Sequence, residues 1–130
     1  MAIEEAIYTL VTGNASVKAL IGLRLLPGVI PQDTRLPAAA YQVISTGRNY
    51  NHDGQSSIST PVIGFTFDSR SIDEARSVAE AVRQVLSGYH GEVGSVKIGS
   101  IFLINQFEGY NPASEIHNVR QDYQVTWKEI

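Results

Sequence analysis

From Pro61 to Gly88 the chain reads PVIGFTFDSRSIDEARSVAEAVRQVLSG, and its apolar positions change period once along the way. Ile63, Phe65 and Phe67 alternate with Val62, Gly64 and Thr66, the period of two that belongs to a strand with its heavier face on the odd residues. Ile72, Ala75, Val78, Ala79, Val82, Val85 and Leu86 then recur at helical spacing on one stripe, with Asp73, Glu74, Arg76, Glu80, Arg83 and Gln84 mostly off it. Ser71 and Glu74 at the junction form a capping-box pair: the hydroxyl takes the amide of the third helical residue and the carboxylate reaches back to the cap amide. Gly88 stands where a helix end calls for a left-handed residue.

The same patterns organise the rest of the chain. Ile3, Ala6, Ile7, Leu10 and Val11 predict a helix, and a second short one follows Gly13, capped by Asn14 with Val17, Leu20 and Ile21 inward. These are two helices or one broken helix. Prolines 27, 31 and 37 make the next stretch irregular, with a short edge strand around Leu25 to Ile30. Ala39 to Thr46 reads as a strand with Tyr41 and Val43 on its better face, most simply paired with Val62 to Phe67. Between them lies Gly47 to Thr60, too long for a tight turn, in which Asp53-Gly54 signals a hairpin tip and hence a protruding arm. A two-residue turn there would set Gln42 and Ile44 opposite Phe65 and Ile63, so pairing the two strong faces requires an odd-numbered loop or one bulge.

Tyr89 to Ser95 is read as a connection and Val96 to Phe107 as a strand. Ile101 to Ile104 is apolar on both faces, which predicts that this half is covered twice. Asn105 to Glu115 is read as a turn-rich loop and Ile116 to Lys128 as the closing strand. Val119, Tyr123, Val125 and Trp127 face one way on it, and Arg120, Asp122, Gln124, Thr126 and Lys128 the other. The expected fold is one α+β domain over residues 1–130, an antiparallel sheet of about four strands with a long amphipathic helix and the N-terminal helices packed on one face.

Composition narrows the function. The 130 residues are 43% hydrophobic and 18% charged, with no segment of disordered composition. A net charge of −3 and the lack of a Lys/Arg cluster argue against direct binding to a nucleic-acid backbone. The chain contains no cysteine, which removes disulfides, thiolate catalysis and Cys-based zinc sites. No apolar run is long enough to span a bilayer, and MAIEEAIYTL carries two glutamates where a signal peptide needs a basic region, so no membrane partner and cytoplasmic synthesis are expected.

Candidate chemistry is sparse. His52, His90 and His117 match no metal-ligand spacing, and no nucleophile elbow or phosphate-binding glycine loop occurs. No catalytic, cofactor or metal residue is assigned. His52-Asp53 would serve as a base and its orienting carboxylate only beside a nucleophile or metal, and on that pair rests the alternative of a small ligand-binding or hydrolytic domain using Gly47 to Thr60. Tyr50, Phe107 and Tyr110 stand in or beside the two longest loops, where aromatic residues either anchor interfaces or fold back on their own loops. Arg48, Tyr50, His52 and Asp53 on the arm, with Phe107, Glu108 and Tyr110 on the second loop, are the candidate interface.

Taken in order, several segments resemble the tail-completion and tail-terminator proteins of long-tailed bacteriophages. NASVKALIGLRLLPGVIPQDTRLPAAAYQVIS looks like that group's opening, a helix leading through a proline-studded segment ending in Leu36-Pro37 to a Tyr-containing strand. VIGFTFDSRSIDEARSVAEAVRQVLSG is similar to its central strand and helix, and IHNVRQDYQVTWKEI, with His117, Asp122 and Tyr123, to its closing strand. The resemblance spans nearly the whole chain and lies in the order and spacing of the segments. It implies a non-enzymatic virion subunit of the tail that assembles with itself as a ring, usually a hexamer. That ring caps or completes the tail tube and meets the tail-tube protein and a head–tail connector.

Overall fold

The computed structural model describes residues 2–45, 48–51 and 54–129. In chain order they form helices α1 (Ala2–Thr12) and α2 (Ala15–Ile21), strands β1 (Leu25–Pro27), β2 (Ala38–Ser45), β3 (Arg48–Asn51), β4 (Gly54–Ser59) and β5 (Val62–Ser69), helix α3 (Ile72–Leu86), and strands β6 (Gly91–Val93), β7 (Val96–Asn111) and β8 (Ile116–Glu129).

The N-terminal pattern resolves into two helices. Gly13 ends α1, donating to Thr9 O at 3.0 Å, and Asn14 caps α2 by accepting from the amides of Ser16 and Val17. Ile3, Ala6, Ile7 and Val11 of α1 are buried, as are Val17 and Ile21 of α2. Ser71 caps α3, its hydroxyl accepting from Glu74 N at 3.5 Å. The reciprocal half of the box runs through a third residue: buried Ser69 accepts from Ser71 N and donates to Glu74 Oε1 at 2.5 Å. Ala75, Val78, Ala79, Val82 and Leu86 form the buried stripe of α3, and Gly88 follows its end at φ +80°.

The sheet is mixed and larger than four antiparallel strands. All eight strands of the described residues join it. β4 extends β5 along β8 without a change of register, Ser59 opposite Trp127 as Val62 is opposite Gln124, and β3 pairs with β4. The sheet is therefore six strands wide in the order β1, β2 with β3, β5 with β4, β8, β7, β6. β1 runs parallel to β2, Leu25 opposite Ala39, because the segment 28–37 crosses back before the chain re-enters the sheet. Arg24 fastens that crossing by donating to Pro37 O and Leu20 O. Gly94-Ser95 turns β6 into β7 where a plain connection is expected, with Gly94 at φ +57°.

Register follows the apolar faces. Tyr41 pairs with Phe65 and Val43 with Ile63, and the one-residue irregularity this requires falls between Val43 and Ser45. The arm ends in the pair Asn51–Gly54, one residue earlier than a turn centred on Asp53-Gly54, so Gly54 is a strand residue. Phe65 stacks on Phe67 at 5.9 Å and meets Tyr123 edge-on at 5.7 Å. The three helices and these aromatic rings enclose the core on one face of the sheet.

Two expectations about β7 are corrected. It does not give way to a loop at Asn105 but continues to Asn111, paired with β8 throughout, and only residues 112–115 turn the chain. A bulge between Leu103 and Asn105 shifts the side-chain alternation and hides the second half of the strand from a period-two reading. Nor is the apolar run covered twice. Ile101 is buried, whereas Phe102 is 58% and Ile104 48% exposed.

Candidate assembly surface

Cross-strand pairing divides the candidate interface residues between two faces and two ends of the sheet. Phe107 pairs with Arg120 on the face away from the helices, and the guanidinium lies 5.8 Å from the ring centroid, within cation–π range. Glu108 and Tyr110 pair with Val119 and His117 on the helix side. Arg76 of α3 grips Glu108 through two bonds, Nε to Oε2 at 2.6 Å and Nη2 to Oε1 at 2.8 Å. The guanidinium holds the Glu108 carboxyl below its usual range. Tyr110 packs against His117 with the rings tilted at 39° and 4.5 Å between centres, and it remains half exposed. Phe107, Glu108 and Tyr110 thus stand on a strand rather than on a loop.

Arg48 and Tyr50 belong to β3, paired with Ser59 and Gln55, while His52 and Asp53 lie outside the described residues. The root of the arm meets β8 at Trp127, and Tyr110 meets it at His117. Ten residues of strand separate these points, roughly 33 Å at the usual rise. The arm and the outer end of β7 therefore occupy opposite ends of the molecule and form no single patch.

Sequence reasoning missed the surface that lies between them. On the sheet face away from the helices, Ile44, Phe102 and Phe107 are each about half exposed, as is Ile104 in the adjoining bulge. Phe107 and Ile44 flank the Arg120–Asp122 ion pair, 3.4 Å apart and partly shielded. Gly64 leaves the slot in which Ile44 lies: a Cβ there would stand 2.6 Å from Ile44 Cδ1 and 3.0 Å from Asp122 Oδ1. The available signal was the run Ile101 to Ile104, whose second apolar face meets no cover among the described residues.

On the helix-side face the buried amide of Gln121 is satisfied, whereas the buried Trp127 Nε1 has no hydrogen-bond partner among the described residues. Gln121, fully buried, donates to Ala79 O at 3.2 Å and Gln106 Oε1 at 2.9 Å and accepts from the Tyr123 hydroxyl at 2.7 Å. Burial raises the Tyr123 phenol well above its ordinary range. On α3, Arg83, with help from Gln84, holds the exposed Glu80 carboxyl down to about 2. A cleft of about 320 Å³ between the crossing segment and Asp68, Arg70 and Ile116 has Arg70 donating to Ser114 O across it. Burial pushes the Asp68 carboxyl up. The Thr34 hydroxyl in the lining of the cleft donates to Pro31 O at 2.6 Å. Among the described residues no three His, Asp or Glu side chains gather as a metal site.

Comparison with known proteins agrees with an assembly role. No curated protein matches the chain. A solved structure described as the virion of a native gene transfer agent particle is similar at 13% identity and a TM-score of 0.76, covering 97% of this chain and 94% of that one, a likeness of fold. The family of the tail completion protein gp17 matches residues 5–128, nearly the whole chain. The protein accordingly belongs to the tail completion protein gp17 family, and its role is structural, in the tail of a phage.

Proposed function

We propose that the protein is a non-catalytic subunit of a homo-oligomeric ring, hexameric by the family resemblance, that completes the tail tube and joins it to the head. The observation that carries this reading is the apolar outer face of β7, where Phe102, Ile104 and Phe107 stand about half exposed. A monomer that stayed alone would keep this surface in water at a cost of roughly 25 cal/mol per Å² of apolar area. Its position supports a joint. The arm at one end of the sheet and the Phe107–Tyr110 segment at the other give each subunit two separated contact regions, one for the tail-tube protein and one for a connector on the head side. Neither region needs catalytic chemistry, nucleic acid or a membrane. The subunit is made in the host cytoplasm and ends in the virion tail.

Native mass spectrometry and light scattering on concentrated protein, alone and with the tail-tube protein, test the proposal. A closed ring of six is expected in at least one condition. A monomer in both overturns the ring.

A further inference from the structure

The two outer edges of the sheet are unpaired at the same level. On the side of β7 away from β8, β6 covers only Val96 to Ile98, and from Gly99 to Asn111 no strand of the described residues lies alongside. One backbone bond, from Gly88 N to Ile101 O at 2.9 Å, touches that edge. At the opposite side of the sheet β1 covers β2 only as far as Tyr41, so the outer side of Gln42 to Ser45 and of β3 has no strand of the described residues alongside. Gln42 is level with Gly64, Asp122 and Asn105, and Val43 with Ile63, Tyr123 and Leu103. A rotation about an axis along the strands therefore brings the two free edges together without a slide.

Direction and side chains agree with that contact. β2 is antiparallel to β5, β5 to β8 and β8 to β7, so β7 of one copy would run antiparallel to β2 of the next, the pairing that most of this sheet already uses. Proteins guard free edges with lysine, proline or inward charges. GSIFLINQFEGYN, residues 99–111, holds no lysine, arginine or proline, and its one charged residue, Glu108, is taken up by Arg76. Ile44 on one edge is half exposed and lies between the levels of Phe102 and Leu103, next to the half-exposed Phe102 and Ile104 of the other edge.

We infer that adjacent subunits join edge to edge, β7 of one copy adding to the β2–β3 edge of the next, so that a ring of subunits carries one continuous sheet. This is a head-to-tail contact, which closes a ring, whereas pairing β7 with β7 would stop at a dimer. The inference rests on the ring reading and names its interface.

The chain has no cysteine, so introduced thiols report cleanly. Gln42→Cys and Ser45→Cys are each combined with Ser100→Cys or Asn105→Cys, oxidised under the conditions in which the wild type assembles, and separated under denaturing conditions. A covalent ladder up to the full ring is expected from at least one pair, with only monomer from each single variant. Hydrogen exchange on the unmodified protein should show amides in 42–51 and 99–111 slowed by about tenfold or more on assembly. If the wild type assembles but these amides stay unprotected and no pair cross-links, the edge contact is wrong and the ring stands. A dimer from Asn105→Cys alone also overturns it. A wild type that stays monomeric throughout overturns the ring reading and this contact with it.

Discussion

Phe65 and Phe107 are both phenylalanines on long strands, yet only one is needed for the fold. Phe65 is buried between Phe67 and Tyr123, and Phe65→Ala should cost about 3–5 kcal/mol, measured by denaturant unfolding. Phe107→Ala and Tyr110→Ala, on half-exposed rings, should change stability by no more than about 0.5 kcal/mol while impairing assembly with the tail-tube protein in the same preparation. The burial of Phe65, Phe67, Val119 and Tyr123 was legible because alternation alone assigns a face. Gln121 was not legible. A glutamine in an apolar row reads as an exception, and only the three-dimensional meeting of Ala79 O, Gln106 and Tyr123 shows how its amide is satisfied.

Elements were readable in proportion to their regularity. α3 announced its cap, stripe and end within one segment, and the unequal faces of β2 and β5 demanded the irregularity found beyond Val43. β1 spans three residues and ends on Pro27, too short to show a period, and its parallel direction depends on where the crossing segment lands. The outer half of β7 was hidden by its own bulge, and it is this half that α3 steadies through Arg76 and Glu108. Because Arg76 lowers the Glu108 carboxyl below its ordinary value of 4.5, the contact is in place above that value and is lost as pH falls through the lower, folded one. Hydrogen exchange across residues 105–118 should therefore quicken as pH drops below 4.5, beyond the intrinsic trend. Glu108→Gln should abolish that extra acid response and mimic it at neutral pH.

At the scale of the whole molecule, the helices cover one face of the sheet and leave apolar side chains of the other in water. The family assignment and the exposed β7 face agree on assembly by independent routes, one from the order of segments and one from surface left in water. His52 and Asp53, on which the hydrolytic alternative rests, lie outside the described residues. The exposed apolar surface was only half legible for a physical reason. Sequence pattern tells which side chains need cover, and it does not tell whether the same chain provides it.

One further consequence follows from the unbroken register of β4 and β5 on β8. Ser59 opposite Trp127 and the eight pairs from Val62 to Ser69 follow one alignment, so the arm and the far end of the molecule are ends of the same laddered strands. A pull along the strands loads those hydrogen bonds in shear, many at once, whereas a pull across them opens the ladder one rung at a time. Tension delivered at the arm would thus pass to the 112–115 turn as through a stiff rod. Single-molecule stretching between Asn51 and Ala113 should need a markedly higher rupture force than stretching between Arg48 and Ser59, which face each other across the root of the arm, and equal forces would show that the arm yields before the load is transmitted.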